Sequence, residues 1–166
     1  MSNEPSAPRT AAAALLGLTR DQMMGKTAID PAWHFIRNDG TLWAVGANYN
    51  SDLGDGTNIR RPSPVQIGTD TNWYSITGGR NFALGLKNDG TLWGAGFNSN
   101  GQIGDGSTTT RPNFIEIGTG DWSHASAGDY HSVAVKFGGT LWTWGLNGNG
   151  QLGDGTTTQR NSPVQV

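Results

Sequence analysis

Apolar and polar residues alternate in short runs along most of this chain, and the runs return in a fixed order. Trp73-Tyr74-Ser75-Ile76-Thr77 leads into Gly78-Gly79 and reads as a strand entering a turn. Phe82-Ala83-Leu84-Gly85-Leu86 is a second strand, closed by Asn88-Asp89-Gly90, the residues of a hairpin turn. Thr91-Leu92-Trp93-Gly94-Ala95-Gly96 is a third. A polar loop from Asn98 to Thr110 then leads to a fourth at Phe114-Ile115-Glu116-Ile117. The same order is predicted over Trp122–Gly128, Ser132–Lys136, Thr140–Trp144 and Pro163–Val166. Four short strands in each unit of about 50 residues make one propeller blade.

Two markers keep these units in phase. Asp-Gly-Thr-Leu-Trp stands at Asp39–Trp43 and Asp89–Trp93, with Gly139-Thr140-Leu141-Trp142 as a third copy, so the tryptophans lie 93−43 = 50 and 142−93 = 49 residues apart. Gly-Asp-Gly recurs at Gly54–Gly56, Gly104–Gly106 and Gly153–Gly155 with the same two spacings. Units of this kind bury their apolar faces on one another. The first unit departs. Aligning Arg37–Gly40 with Lys87–Gly90 leaves no counterpart of Trp73–Gly79, and Thr27-Ala28-Ile29-Asp30 does not resemble it. The chain stops on Val166, where a further opening tryptophan would come, and Met1 reads as a natural start. One end is therefore expected to lack a strand and the other to present a fresh edge.

The predicted architecture is all-β: a partial propeller of about three four-stranded blades, the first incomplete, at about residues 31–72, 73–121 and 122–166. Residues 1–30 form an N-terminal arm, extended or with a short helix. Thr10 caps Ala11-Ala12-Ala13-Ala14-Leu15-Leu16 in that helix, which ends near Gly25 and places Leu15 and Met23 on roughly one face.

Composition narrows the function more than the fold. Glycine is abundant at 26 residues and only 14% of the chain is charged, which suits short strands and tight turns. Seven tryptophans supply much of the buried area, at roughly 150–250 Å² each. Without cysteine there are no disulfides, thiolate zinc sites or cysteine nucleophiles. A net charge of −2 with no basic run argues against nucleic-acid binding by phosphate neutralisation. No apolar run approaches the roughly 20 residues of a membrane span. Ala11–Leu18 is a poor signal-peptide core, with Arg9 the single basic residue before it.

The order Asp-Gly-Thr-Leu-Trp, then Gly-Gln-Leu-Gly-Asp-Gly-Thr, then Pro-Val-Gln resembles the repeats of the regulator of chromosome condensation family. Gly150–Thr156 and Asn161–Val166 match it best, Gly101–Gly106 next, and Asn50–Gly56 least. The resemblance covers about residues 33–166 and implies propeller blades, usually seven in a closed ring, where this chain has fewer than three complete units. It also implies a regulator that promotes guanine-nucleotide exchange on a small GTPase, but no exchange wedge and no basic arm are evident here.

Four sets of residues invite a chemical reading. The loops around Asn48, Asn50, Asp52 and Asp55, with copies at Asn98, Asn100, Asp105 and Asn147, Asn149, Asp154, space oxygen ligands as calcium loops do. The preferred reading is that they hold glycine-rich turns through backbone N–H bonds, with no metal and no cofactor. Asp129, His131 and Ser132 suggest a triad, but successive strand residues point to opposite faces, and the second unit carries Arg80, Phe82 and Ala83 there. Trp43, Trp93 and Trp142 could stack on sugar but read as inter-blade core. Arg61 and Arg111 share a register, with Arg160 shifted, and bonding to the repeat's own aspartates is preferred over an anionic partner.

The expected function is non-enzymatic: a structural or assembly module binding other protein chains, itself included, through propeller edges and the arm. The residues expected to carry it are Leu15, Leu16, Met23, Trp33, Trp144, Pro163, Val164 and Val166. Strand Pro163–Val166, or the arm, would complete the first blade of another chain by β-augmentation. A virion or cell-surface appendage (fibre, spike or decoration protein) is favoured over a cytoplasmic role. The alternative is an adhesin that binds glycan or peptide through Tyr49, Phe97 or Trp144.

Overall fold

The computed structural model describes residues 23–25 and 32–166, and among them every regular element is a strand. There are twelve: β1 (Met23–Gly25), β2 (Ala32–Ile36), β3 (Leu42–Gly46), β4 (Arg61–Gln66), β5 (Trp73–Gly78), β6 (Phe82–Lys87), β7 (Leu92–Gly96), β8 (Arg111–Glu116), β9 (Trp122–Ala127), β10 (His131–Lys136), β11 (Leu141–Gly145) and β12 (Arg160–Gln165). They form three four-stranded sheets in the orders β1-β2-β3-β4, β5-β6-β7-β8 and β9-β10-β11-β12, each strand antiparallel to the next. These are three blades of a partial β-propeller.

The Asp-Gly-Thr-Leu-Trp motif has a local cause. Gly40 and Gly90 take φ of +77° and +79° at the β2–β3 and β6–β7 hairpins, where an L side chain is strained. Asp39 Oδ1 accepts from Thr41 N–H (3.1 Å) and its hydroxyl (2.6 Å), and Thr41 Oγ1 accepts from Trp43 Nε1 (2.9 Å). Asp89, Thr91 and Trp93 repeat the relay. Turn, cap and indole anchor are thus one unit. In the third blade Gly138 replaces the aspartate, and only the Thr140–Trp142 bond remains (3.0 Å). A side chain at Gly138 would meet open space. Gly138→Asp should restore the cap and restrict the unfolded chain, adding about 1 kcal/mol. A thermal melt should then rise by roughly 2–4 °C.

Packing between blades makes the core. One cluster joins Leu42, Leu53 and Ile67 of the first blade to Trp73, Ile76 and Ala83 of the second. The other joins Phe82, Leu84, Leu92, Ile103 and Ile117 of the second to Trp122, Ala134 and Trp144 of the third. Because side chains alternate along a strand, each sheet gives one face to the blade before it and the other to the blade after. Lys87 is buried over Trp73 and Trp93, with Nζ 4.9 and 3.7 Å from the ring centroids, and pairs with Asp70 at 2.8 Å. Lys136 lies over Trp122 and Trp142 at 4.9 and 5.2 Å. The cation compensates its burial with two ring faces.

Two expectations change. The place of the missing strand in the first blade is filled within the same chain by β1, three residues long against six in β5 and β9. A helix running to near Gly25 is replaced at Met23–Gly25 by this strand, whose backbone pairs with β2. The remainder of that helix, with Leu15 and Leu16, lies outside the described residues. The last strand pairs with β11 on one side, with Gln165 opposite Trp142 and Val164 opposite Thr143, and stands at the edge of its sheet as expected. Neither end of the described arc needs a strand from another chain to complete a blade.

The first blade also compensates for the opening tryptophan it lacks. Phe35, Gly85 and Ala134 occupy one register, opposite Trp43, Trp93 and Trp142. A Cβ on Gly85 would run into the Trp73 ring, so the glycine exists to seat that indole. With no such indole in the first blade, the larger Phe35 fills the space and is itself buried.

Candidate protein-binding face

The polar loop of each blade is a clamp built around one buried asparagine. Asn48, Asn98 and Asn147 are fully buried, and each donates Nδ2 to the Oδ1 of Asp55, Asp105 or Asp154 at 3.0–3.1 Å. Each Oδ1 accepts the N–H of the buried Leu53, Ile103 or Leu152 at 2.9–3.0 Å. The aspartates accept from Thr57, Ser107 and Thr156, and from the Nε of Arg61 (2.5 Å), Arg111 (2.6 Å) and Arg160 (2.8 Å). Of the residues offered as calcium ligands, Asn48, Asn98 and Asn147 with Asp55, Asp105 and Asp154 hold the turn, and the arginines bind the repeat's own aspartates. Arg160 is not shifted. It faces Gly145 as Arg61 faces Gly46 and Arg111 faces Gly96, and what moves in the third unit is the proline.

These contacts set an acid limit on stability. Burial raises the carboxyl pKa values of Asp55 and Asp105, but hydrogen bonds from Thr57, Ser107 and the arginines outweigh it and leave both below the ordinary range. Asp154 is lowered by the Thr156 hydroxyl and Arg160. A carboxyl whose pKa is lower folded than unfolded adds stability that is complete above the unfolded value, about 4, and lost as pH falls through the folded one. Melting temperature should be nearly flat from about pH 7 to 5 and drop below about pH 4. Asp105→Asn should lower it at neutral pH and make the acid descent shallower. A parallel descent in wild type and variant would remove the clamp as its cause.

The triad residues are dispersed. Ser132 Oγ is buried and donates to the Gln102 carbonyl of the preceding blade (2.7 Å), while His131 points to the opposite side of β10 and Asp129 is exposed. Ser132 is an inter-blade tie.

Trp144 is corrected. Expected at an exposed end or against a partner, it is fully buried between the second and third blades, with Nε1 donating to the same Gln102 carbonyl (2.9 Å). It fits because Gly104, at φ +91°, has no side chain. A Cβ there would sit 2.5 Å from the indole nitrogen. Gly54 makes the same room for Phe114. Trp144 also offers no ring to a sugar. Of the other two aromatics named for that role, Tyr49 is exposed and Phe97 half-buried.

Of the remaining partner candidates, Met23 lies in β1 and Trp33 is half-buried in β2. Pro163 and Val164 are half-buried in β12, and Val166 is exposed at 43%. Val166 belongs to a larger feature that sequence reasoning missed. Leu141 (40% exposed), Val133 and Val135 lie on the face of the third blade that looks away from the second. Their counterparts Leu92, Leu84, Leu86 and Ile117 are buried, at 0–3% exposure. Placing Leu141 in the register of Leu42 and Leu92, with no described blade after it, was the signal that could have found this.

Comparison with known proteins fits this geometry. The family model described as "Regulator of chromosome condensation (RCC1) repeat" matches residues 39–86, 89–135 and 138–166, and a second model of the same description matches 73–102 and 122–151. No curated protein sequence matches. Among solved structures, the yeast RCC1 protein Prp20 bound to Kap60 aligns with a TM-score of 0.74 at 20% identity, over 81% of this chain and 35% of that one. Human WBSCR16 aligns at 0.73 and 20%, over 81% and 35%. Prp20p of Saccharomyces cerevisiae, described with its binding to Gsp1p and histones, aligns at 0.71 and 21%, over 81% and 36%. The chain spans about a third of the length of these structures, and at such identity they show the fold alone. With the repeat model covering most of its residues, each match starting at the hairpin between the second and third strands of a blade, the chain belongs to the regulator of chromosome condensation (RCC1) repeat family.

Proposed function

We propose that this chain is a non-enzymatic protein-binding module that joins other protein chains into an assembly, with a virion or cell-surface appendage as its setting. The observation that carries the reading is the apolar face of the third blade. It repeats the side chains that close both internal interfaces, yet Leu141 and Val166 remain open to solvent. An apolar sheet face of this kind marks an interaction site. Binding at a face replaces the strand exchange suggested by sequence, since β1 already takes the place in the first blade that such a strand would fill. Proteins of the same fold bind proteins, as Prp20p does with Gsp1p and histones.

The reading makes a solution prediction. At micromolar concentration the chain should run above its 17.6 kDa monomer mass or, as a monomer, bind the dye ANS in a way that Leu141→Asp abolishes. A monomer that ignores the dye, and is unchanged by Leu141→Asp, would overturn the reading.

A further inference from the structure

The chain carries both halves of its own blade interface, one at each end of the arc, and we propose that copies join head to tail through them. The third blade of one copy receives the first blade of a second. This inference rests on the protein-binding reading above and names the partner.

Two worked examples of the interface exist inside the chain. In each, the earlier blade supplies an apolar sheet face and a glycine-rich loop, and the later blade supplies a wall containing Trp93 or Trp142 and Ala95 or Trp144, joined at the first seam by Phe114. Two backbone bonds recur at both seams. Gly56 N–H donates to Pro112 C=O (2.8 Å) and Gly106 N–H to Asn161 C=O (2.9 Å) across the loops. Trp73 N–H donates to Gly40 C=O (3.2 Å) and Trp122 N–H to Gly90 C=O (3.0 Å) near the hairpins.

The third blade repeats the supplying side without a described blade to receive it. Gly153 and Gly155 keep the positive φ of their counterparts, +69° and +74°, so the loop has the same shape. Around Gly54 and Gly104 a Cβ would strike the next blade, whereas around Gly153 and Gly155 no described residue lies within 4 Å. Among the described residues Gly155 N–H makes no backbone bond of the kind Gly56 and Gly106 make.

The first blade supplies the wall. Trp43 stands in the register of Trp93 and Trp142, opposite Gln66 as they are opposite Glu116 and Gln165. Val45 occupies the place of Ala95 and Trp144. It is half-buried where both of those are fully buried. Pro64 occupies the place of Phe114 and Pro163, so proline is already used there. Docked in the same way, Val45 meets the open space at Gly153, and Gly155 N–H finds the carbonyl of Pro62, the counterpart of Pro112 and Asn161. The hairpin stitch would come from a residue before Met23, outside the described residues, and Phe35 already fills the volume of the opening indole. The contact is heterologous, so it propagates or closes into a ring rather than pairing two identical faces.

Light scattering over a concentration series tests this with two variants that damage opposite ends, Leu141→Asp and Val45→Asp. The wild-type chain should exceed 17.6 kDa, and each variant should weaken association at least tenfold and return to that mass. An equimolar mixture of the two should form a dimer and nothing larger, because each contributes one intact face. Unchanged melting temperatures would show that both variants fold, and Val166→Asp serves in place of Leu141→Asp if it does not. Association lost with Leu141→Asp but untouched by Val45→Asp would overturn the head-to-tail contact and leave protein binding at the third blade standing. A wild-type monomer with Leu141-dependent ANS binding would do the same. A monomer blind to the dye would overturn both.

Discussion

Replacing Trp144 with alanine should cost about 3–5 kcal/mol and lower the melting temperature by roughly 6–20 °C. The side chain is fully buried, packs against Trp122 with ring centroids 6.1 Å apart, and fills the space over Gly104. Its loss leaves a cavity at the seam between the second and third blades, where no neighbouring strand can move in to close it. Trp144→Phe separates packing from hydrogen bonding. It keeps a six-membered ring but loses the bond to Gln102 C=O, which still accepts from Ser132 Oγ, and the five-membered ring over Gly104, so about 1–2 kcal/mol is expected. Equal losses for the two variants in urea titrations would mean that the indole N–H, not the packed ring, holds the seam.

Asn98→Ala should be nearly as damaging, at roughly 3 kcal/mol. Asn98 Nδ2 donates to Asp105 Oδ1 (3.0 Å) and the Ser107 carbonyl (3.1 Å), and its Oδ1 accepts the N–H of buried Ile103 (2.9 Å). Alanine removes both functions and leaves buried polar groups without partners, each costing about 1–3 kcal/mol. Asn98→Asp keeps the acceptor for Ile103 but brings a carboxylate against Asp105, so it should be destabilising as well and more so as pH rises. Asn98→Ala within experimental error of wild type would show that the loop is held by the arginine–aspartate pair alone.

The fold was legible because repetition supplies its own alignment. Three copies of one pattern at spacings of 50 and 49 residues fix the phase of every strand, and the blade follows from counting four strands per phase. The Asn–Asp–Arg clamp was partly legible for the same reason: its residues recur in step, although anchoring on the proline rather than on Gly-Asp-Gly misplaced Arg160. What repetition could not convey was the meaning of a deviation. Trp144 stood out because Val45 and Ala95 are small, and an unusual large residue was read as an exposed one. Its space comes from Gly104, 40 residues away in sequence and in another blade. β1 was illegible for a related reason. An opening strand without its tryptophan has no signature, and Phe35, its compensation, sits on a different strand.

Leu141 shows the opposite case, a residue that follows the pattern and differs only in what surrounds it. Its exposure cannot be read from identity, because Leu42 and Leu92 in the same register are buried. The proposed binding face is therefore distinguished by the exposure of Leu141 and not by any unusual side chain.

The most direct measurement compares one substitution at two equivalent positions. Leu92→Asp and Leu141→Asp place the same carboxylate on the same strand position in successive blades. In dilute solution, urea titration of both should show Leu92→Asp losing at least about 4 kcal/mol, because its charge enters a closed interface. Leu141→Asp should stay within about 1 kcal/mol of wild type while removing association and dye binding. Comparable losses at both positions would contradict the account, since the third blade would then be closed as tightly as the second and would have no free face to offer a partner.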